Sequence, residues 1–208
     1  MSPTPQRAAD HSRVVDLPSA LPDDREIVIG LIEGRRSAAE ALYRRYGDRV
    51  NGLVWRLTGT DSDHDDLVQQ VFLNIVSSVA SLKDPSSLGS WIVGVVMNTV
   101  RKEIRSRRVR RILRLDPEPP DEPSDLFGPE KQLLAHRFYK VVGRMDATTR
   151  VFFLMRYVEG SAIGEIAASA GCSPTTVKRK VQKAREFFAR EAARDPVLAS
   201  HIEVSQDE

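Results

Sequence analysis

Apolar residues recur every three to four positions along most of this chain, which is the spacing of an α-helix with one buried face. The most regular stretches are Ser37–Gly59, Asp61–Leu82, Leu88–Leu115 and Pro129–Met145. No stretch alternates apolar and polar residues in the manner of a β-strand. The pattern therefore predicts an all-α fold.

Capping residues predict where several of these helices begin. Acidic residues open a short helix within Asp23–Gly34. Ser37 with Glu40 three positions later is a capping box, which predicts that the second helix starts at the serine. Asp63 and Asp146 are suited to cap the helices that follow them.

The helix predicted at 61–82 has two distinct faces. Its apolar stripe comprises Leu67, Val71, Phe72, Ile75, Val79 and Leu82. Leu73 lies on the other side, together with Asp66, Gln69, Gln70 and Ser77. A single exposed leucine often has no function, but one surrounded by short polar and acidic groups can anchor a partner helix. The helix alone leaves both interpretations open.

Charges are segregated along the chain, although the formal net charge is only +2. Arg101–Arg114 has eight basic residues against one glutamate, and Lys178–Arg194 has seven against two. Asp116–Glu130 has six acids and no base. Two cationic blocks favour a polyanionic partner that is contacted at two places, and a nucleic acid is such a partner. Solvated arginine faces are the alternative.

A proline-rich acidic segment divides the chain. Residues 116–128 contain four prolines and cannot form a regular helix. We therefore predict two small helical domains, at 23–115 and 129–194, joined by a flexible linker at 116–128. Residues 1–22 are predicted to be a disordered tail, and residues 195–208 a C-terminal tail.

The second cationic block lies in a predicted helix-turn-helix, Glu159–Arg190. Gly171 permits the tight turn, and Ser173-Pro174 is typical of a helix start. Val177, Val181, Ala184 and Phe188 mark the buried face of the second helix. The opposite arc carries side chains that can reach phosphates and base edges: Thr175, Lys178, Arg179, Gln182 and Lys183. The alternative is an ordinary helical hairpin with a solvated cationic face.

Nothing in the sequence predicts catalysis or a cofactor. The four histidines are scattered, and no glycine-rich phosphate loop or metal-binding motif is present. Asp63, Asp65 and Asp66 could hold a divalent cation, but a helix N-terminus explains them without one. Cys172 is the single cysteine and is interpreted as a packing residue of the turn. Without a long apolar run, the chain is expected to be soluble and cytoplasmic, with no membrane insertion.

Two segments together resemble the extracytoplasmic-function (ECF) group of the bacterial sigma-70 family. DHDDLVQQVFLNIV followed by SWIVGVVMNTVRKEIRSRRVRR is similar to sigma region 2. MRYVEGSAIGEIAASAGCSPTTVKRKVQKARE is similar to region 4. The resemblance covers about residues 25–192, and the order of the two segments makes it specific. It implies a promoter-specificity subunit of RNA polymerase, without catalytic activity or cofactor, which an anti-sigma factor commonly holds inactive.

The resemblance also implies partners and site residues. Region 2 would dock on the β′ clamp helices of core RNA polymerase through Asp66, Gln69, Gln70 and Leu73. It would open and read the minus-10 element of promoter DNA with Lys83, Ser86, Ser87, Trp91, Asn98, Arg101, Lys102 and Arg105. Region 4 would pack on the β flap and read the minus-35 element with Ser173, Pro174, Thr175, Thr176, Lys178, Arg179, Gln182 and Lys183. Trp91 is also interpretable as a core residue rather than a stacking platform.

Five positions depart from the family pattern. Gln70 stands where a glutamate is common, and Gly89 and Met97 stand where arginine is frequent. Ala162 replaces a serine or threonine cap, and Gly164 replaces a glutamate. The main alternative function is a helix-turn-helix regulator that binds duplex DNA without entering polymerase. An RNA-binding or adaptor protein with a coincidental helical hairpin is a further alternative.

Overall fold

The computed structural model describes residues 22–59, 63–112 and 129–202. Within those ranges all regular secondary structure is helical, as the apolar spacing predicts, and no helix there is long and apolar enough to cross a membrane. Two short 3₁₀ turns, Val79–Ser81 and Pro85–Ser87, connect the third and fourth α-helices. The α-helices are α1 (Asp24–Ile32), α2 (Arg36–Thr58), α3 (His64–Ser78), α4 (Leu88–Ile112), α5 (Pro129–Val142), α6 (Ala147–Tyr157), α7 (Ile163–Ala170), α8 (Pro174–Ala192) and α9 (Pro196–Ile202).

The first four helices pack around one apolar centre. α2, α3 and α4 contact one another in pairs, and α1 lies against α2. Leu53, Ile75 and Ile92 supply fully buried side chains from three of these helices. The buried hydroxyl of Thr99 is satisfied, because it accepts from Asn74 Nδ2 at 2.9 Å and donates to the Val95 carbonyl. Burial of Thr99 therefore leaves its hydroxyl group with hydrogen-bond partners.

Helices α5 to α9 form the second half of the fold. α6, α7 and α8 pack on one another through residues that include Phe152, Ile166 and Val177, each less than 2% exposed. Aromatic rings of three helices extend this core, since Phe138 lies 5.3 Å from Phe188 between ring centroids. The apolar face predicted for the helix-turn-helix thus packs into the core of this half of the fold.

One predicted capping box is absent, and one residue predicted to cap a helix stands at the predicted position without its capping bond. α2 begins at Arg36, one residue before the predicted serine, and Glu40 accepts from Arg36 Nε at 3.1 Å instead of closing a capping box. Asp63 precedes α3 but makes no side-chain capping bond. Its backbone (φ −99°, ψ 21°) is not in the extended conformation of a capping residue. The carboxylate instead lies 3.4 Å from Arg107 on α4.

Other predicted caps are confirmed. Asp23 accepts from the Glu26 amide at 2.8 Å, and Glu26 accepts in return from the Asp23 amide. Asp146 accepts from two backbone amides at the start of α6, both at 3.1 Å. In each case the backbone of the aspartate is extended, so its side chain can turn back onto the helix.

Two predictions about helix ends differ from the structure. The helix predicted at 61–82 ends at Ser78 and passes into a 3₁₀ turn. Phe72 and Leu82, both predicted in the core stripe, are half-buried and pack against the edge of the core. The predicted tail after residue 194 is wrong for its first part, because α9 forms there and buries Leu198 to 3% exposure. Asp195 caps α9 by accepting from the amide of Val197 at 3.0 Å. Asp195-Pro196 is a helix-start signal.

The two halves of the fold touch directly. α4 packs against both α6 and α7, and α2 also contacts α6. The buried residues of both halves merge into one apolar cluster. Arg150 on α6 donates to the carbonyl of Thr58 at 2.8 Å, and Tyr139 on α5 donates to the carbonyl of Arg56 at 2.8 Å. These bonds close backbone acceptors at the C-terminus of α2.

Candidate nucleic-acid and partner interfaces

The turn between α7 and α8 has the geometry of a helix-turn-helix. Gly171 is left-handed (φ 63°, ψ 37°), a conformation that glycine adopts without steric cost. The Cys172 amide then donates to Ala167 at 3.0 Å, and the half-buried Cys172 packs against the core as predicted. Ser173 caps α8 by accepting from the Thr176 amide at 3.2 Å. Pro174 occupies the first helical position, where no amide is needed.

The basic face of α8 is open to solvent. Ser173, Pro174, Thr175, Lys178, Arg179, Gln182 and Lys183 are exposed, and Thr176 is half-buried beside Ser173. All eight residues predicted for minus-35 contact thus lie at the first three turns of one helix. Glu186 is also on this face and accepts from Gln182 Nε2 at 3.3 Å. Its charge repels phosphate, so this face is cationic at its N-terminal end and mixed beyond it.

Lys180 belongs to a different environment from its basic neighbours. It is half-buried and reaches back to α6, with its Nζ 3.9 Å from Asp146 and 3.4 Å from Thr149 Oγ1. Burial alone would raise the pKa of Asp146, but hydrogen bonds from Thr149 and the charge of Lys180 outweigh it and hold that pKa below its usual value. Lys180 therefore fixes α8 on α6 and is not part of the open face.

The turn before α4 presents short polar groups. Lys83 and Ser86 are exposed, and Ser87 is half-buried. Asp84 organises the turn, since it accepts from the Ser86 amide at 3.0 Å and from the Ser86 hydroxyl at 2.7 Å. Those bonds lower the pKa of Asp84. The turn thus combines a cation with hydroxyls on a locally ordered backbone.

The remaining minus-10 candidates lie along α4 in different environments. Asn98, Lys102 and Arg105 are exposed, whereas Trp91 and Arg101 are half-buried. Burial lowers the pKa of Arg101, and the nearby charge of Arg105 adds to this effect. Trp91 packs against the core and also lines a cleft, so it satisfies parts of both interpretations. Five candidates therefore lie along one side of α4, and the other three lie in the turn before it, with unequal access to solvent.

A cleft of about 290 Å³ lies beside the contact between α4 and α7 and is lined by both helices. α4 and the turn before it contribute Ser87, Ser90, Trp91, Gly94, Val95 and Asn98, and α7 contributes Ala168 and Ser169. No pattern in the sequence predicts that α7 lies here. Met97, at a departure from the family pattern, is fully buried in the core and cannot face this cleft.

Part of the basic block on α4 is neutralised within the helix. Glu103 accepts from Arg107 Nε at 2.8 Å and from Arg110 Nη2 at 2.9 Å. Burial works against ionisation of Glu103, but the two arginines prevail and lower its pKa. The sequence shows the spacing that makes these pairs possible, four and seven residues apart. The cationic surface of α4 is consequently smaller than a count of arginines predicts.

The predicted partner face of α3 is exposed as a unit. Asp66, Gln69, Gln70 and Leu73 all face solvent, and Leu73 is 56% exposed. Two exposed apolar side chains nearby were not predicted, Val76 at 43% and Tyr43 of α2 at 62% exposure. The Tyr43 ring lies 5.1 Å from that of Phe72, which connects the two helices. These residues form an apolar patch with a polar and acidic border, as at protein interfaces.

The described residues contain no group of three or more histidine, cysteine, aspartate or glutamate side chains that could hold a metal ion. The structural features available for function are therefore surfaces: the basic face of α8, the turn and open side of α4, and the apolar patch of α3.

Comparison with known proteins identifies both halves of the chain. Residues 42–110 match the family model described as Sigma-70 region 2, and residues 135–188 match Sigma-70, region 4. The chain is 25% identical over 176 residues to the ECF RNA polymerase sigma-E factor of Haemophilus influenzae, covering 79% of this chain and 93% of that protein.

Two solved structures share the fold. CnrH in complex with the cytosolic domain of CnrY aligns with a TM-score of 0.56 at 20% identity, over 83% of this chain and 98% of that one. RpoE from Bartonella quintana, in complex with the anti-sigma factor NepR, aligns with a TM-score of 0.55 at 19% identity, over 75% and 97%. The two matched regions occur in the order of the predicted segments, and the chain belongs to the ECF group of the sigma-70 family, whose members are RNA polymerase sigma factors for promoter-directed initiation.

Proposed function

We propose that the two halves divide promoter recognition between them. Helices α2 to α4 carry the surface that opens and reads the minus-10 element, and α7 with α8 reads the minus-35 element in the major groove. The observation that carries this proposal is the presence of two separate, partly exposed cationic surfaces in the matched regions of one chain. Arginine or lysine to guanine and glutamine to adenine are the contacts that α8 offers.

The α3 face is the proposed contact with the β′ clamp helices of core polymerase. Leu73 supplies an apolar anchor, and Asp66, Gln69 and Gln70 supply a polar border around it. α5 to α8 would pack on the β flap. The protein acts in the cytoplasm, where polymerase works, with no catalytic activity or cofactor of its own, and an anti-sigma factor is the expected inhibitor.

The minus-10 surface has a chemical rationale. Holding one separated strand needs cations along the backbone and flat groups against which bases stack. The exposed Lys83, Lys102 and Arg105 supply the first, and the half-buried Trp91 supplies one ring edge at the cleft. A regulator that binds only duplex DNA needs neither this surface nor the α3 face, which favours the sigma function over that alternative.

The test is reconstitution with purified core RNA polymerase. A pool of sheared genomic fragments is transcribed by core alone and by core with the protein, and the 5′ ends of the transcripts are sequenced. We expect a small set of start sites that require the protein and share two motifs about 25 base pairs apart. The strongest site is then tested as a fork-opened template. Absence of a stable complex and of any protein-dependent start would refute the proposal.

A further inference from the structure

Arg49 is a cation of α2 that lies against the first turn of α4. Its Nη1 atom is 3.5 Å from the position that a Cβ atom would occupy on Gly89. Gly89 follows Ser87 by two residues and precedes the exposed Ser90, so it belongs to the segment in which the minus-10 candidates begin. The guanidinium of Arg49 therefore lies beside the proposed minus-10 surface, although it comes from a different helix.

No acid neutralises Arg49 within the described residues, where its side chain also has no hydrogen-bond partner. Its neighbours on α2 at three and four positions are not acidic: Arg45, Tyr46, Gly52 and Leu53. Asp24 contacts the same part of α2, but it forms an ion pair with Arg45 at 3.0 Å and accepts from Tyr46 Oη at 2.9 Å. Arg49 is thus an exposed cation whose charge no described carboxylate balances.

The electrostatic setting of Arg49 favours an anion. The N-terminus of an α-helix carries partial positive charge, and the first turn of α4 contains no acid. Lys83 adds a second exposed cation in the turn before α4. Asp84 is the only acid from Val79 to Val95, and both of its carboxylate oxygens accept from Ser86. The position of Arg49 is therefore unfavourable in the free protein, and a bound anion would relieve it.

A phosphate group of the DNA backbone matches this position better than a base edge. Trp91 and Asn98, which line the cleft, are about 200° and 180° around α4 from Gly89 at 100° per residue. A helix with its side chains is about 10–12 Å across. A strand that passes from the cleft around the start of α4 would reach Arg49 within about three to four nucleotides, at 3.4 Å per nucleotide.

We propose that Arg49 is a further DNA-contacting residue, which binds one backbone phosphate of the separated strand at the edge of the minus-10 element. This rests on the proposed function and adds one contact to that surface. Arginine binds phosphate oxygens through charge-assisted hydrogen bonds. Contacts of this kind fix the register of a protein on DNA, while other side chains contact the bases.

The first test measures promoter binding by the reconstituted holoenzyme at several salt concentrations, with the fork-opened template as the probe. Neutralising one phosphate contributes about 0.7–0.9 to the slope of log affinity against log salt. Arg49→Ala should lower the slope by that amount. The loss of affinity should therefore be about five- to eightfold larger at 0.1 M than at 1 M salt. An unchanged slope would overturn the proposal.

Arg44→Ala is the matched control for this test. Arg44 is also an exposed arginine of α2, and it lies about 140° around the helix from Arg49. The variant should keep the slope of the wild type. An equal decrease in both variants would show that only the total charge of the protein matters, and the assigned contact would be wrong.

The second test moves the charge to α4. A side chain at position 89 meets its nearest atoms at 3.5 Å, which is ordinary contact. Gly89→Arg in the Arg49→Ala background returns a guanidinium to the same place, so it should restore most of the slope and affinity. Gly89→Ala in that background stabilises the helix without adding a charge and should restore neither. Failure of the arginine, or equal rescue by alanine, would overturn the proposal.

Two measurements separate the contact from other roles of Arg49. The urea midpoint of the free chain and the Kd for core polymerase should both be the same in Arg49→Ala as in the wild type. A change in the midpoint would assign Arg49 to folding, and a change in the Kd would assign it to polymerase binding. Arg49→Lys should keep the salt slope, because lysine binds phosphate but does not replace arginine in bidentate contact with a base.

The third test locates the phosphate. Templates carry one uncharged methylphosphonate at successive positions of the separated strand. We expect one position, at the edge of the minus-10 element, where the substitution weakens binding by the wild type but not by Arg49→Ala. Equal effects on both proteins at every position would overturn the contact. Intact initiation by the wild type would then leave the proposed function standing, whereas absence of any protein-dependent initiation would refute that function itself.

Discussion

Leu73 offers a quantitative test of the proposed polymerase-binding face. The side chain is 56% exposed, so the remaining half is already packed against its own helix and neighbours. Full burial of a leucine contributes about 1.5–3 kcal/mol, and docking can bury at most the exposed half. Leu73→Ala should therefore cost about 0.8–1.5 kcal/mol of binding, which is about a four- to twelvefold increase in the Kd for core polymerase.

The assay is equilibrium titration of labelled protein with core polymerase. Ile32→Ala is the matched control, because Ile32 is 57% exposed on α1 and lies outside both proposed polymerase contacts. Both variants should keep the free energy of unfolding within about 0.5 kcal/mol of wild type, since both side chains are at the surface. Equal binding by Leu73→Ala and wild type would refute the role of this face. An equal loss in both variants would show that the effect is not local.

Other expected outcomes concern the second half of the fold. Asp146→Ala should lower the free energy of unfolding by about 1 kcal/mol at pH 7 through loss of the α6 cap. Because the folded pKa of Asp146 is depressed, its contribution exists above the unfolded pKa, and urea titrations should show the difference from wild type fading below about pH 4. Lys178→Ala should cost about 1–3 kcal/mol of promoter binding at one base position, whereas a uniform loss with a salt slope lower by about one would identify a phosphate contact. Leu198→Ala should lower the free energy of unfolding by about 2–3 kcal/mol, since Leu198 is 3% exposed, and an unchanged calorimetric transition would show that α9 does not pack.

Helical periodicity was sufficient to predict the internal face of each half. Val177, Val181 and Ala184 of α8 are all at most 5% exposed, as their spacing predicts. The reason is that an amphipathic helix places its apolar residues about 3.6 positions apart, whichever element its apolar face packs against. The same reasoning placed the whole basic face of α8 in solvent.

Helix starts were less predictable, because a capping residue needs a particular backbone as well as a suitable side chain. Ser37 and Glu40 have the right spacing, but the chain already turns helical at Arg36. Asp195-Pro196 is a helix-start signal, but the helix that follows it has only seven residues and too short an apolar pattern to predict it. Local sequence permits a cap, and the packing of the preceding loop decides whether it forms.

The contact between the halves could not be predicted from the sequence. Gly94 and Ser169 are far apart along the chain. The apolar patterns of α4 and α7 show that each helix has a buried face, but they do not indicate that these two helices contact each other. A glycine within a helical pattern can indicate a close approach. Its partner, however, is fixed only by how two independently folded surfaces fit.

The incomplete N-terminal cap of α7 affects which part of the protein unfolds locally first. α7 has eight residues, and at its start Glu165 accepts from the Ala162 amide at 2.8 Å, but Ala162 has no side-chain acceptor to return the bond. A short helix with half a cap opens at lower free energy than its neighbours. In native-state hydrogen exchange, the amides of α7 should therefore exchange before those of α8, whose start is capped by Ser173 and whose buried face is longer. Fraying would then begin in the helix that covers α4, and the proposed minus-10 surface would be exposed transiently by a local fluctuation, well below the free energy of global unfolding.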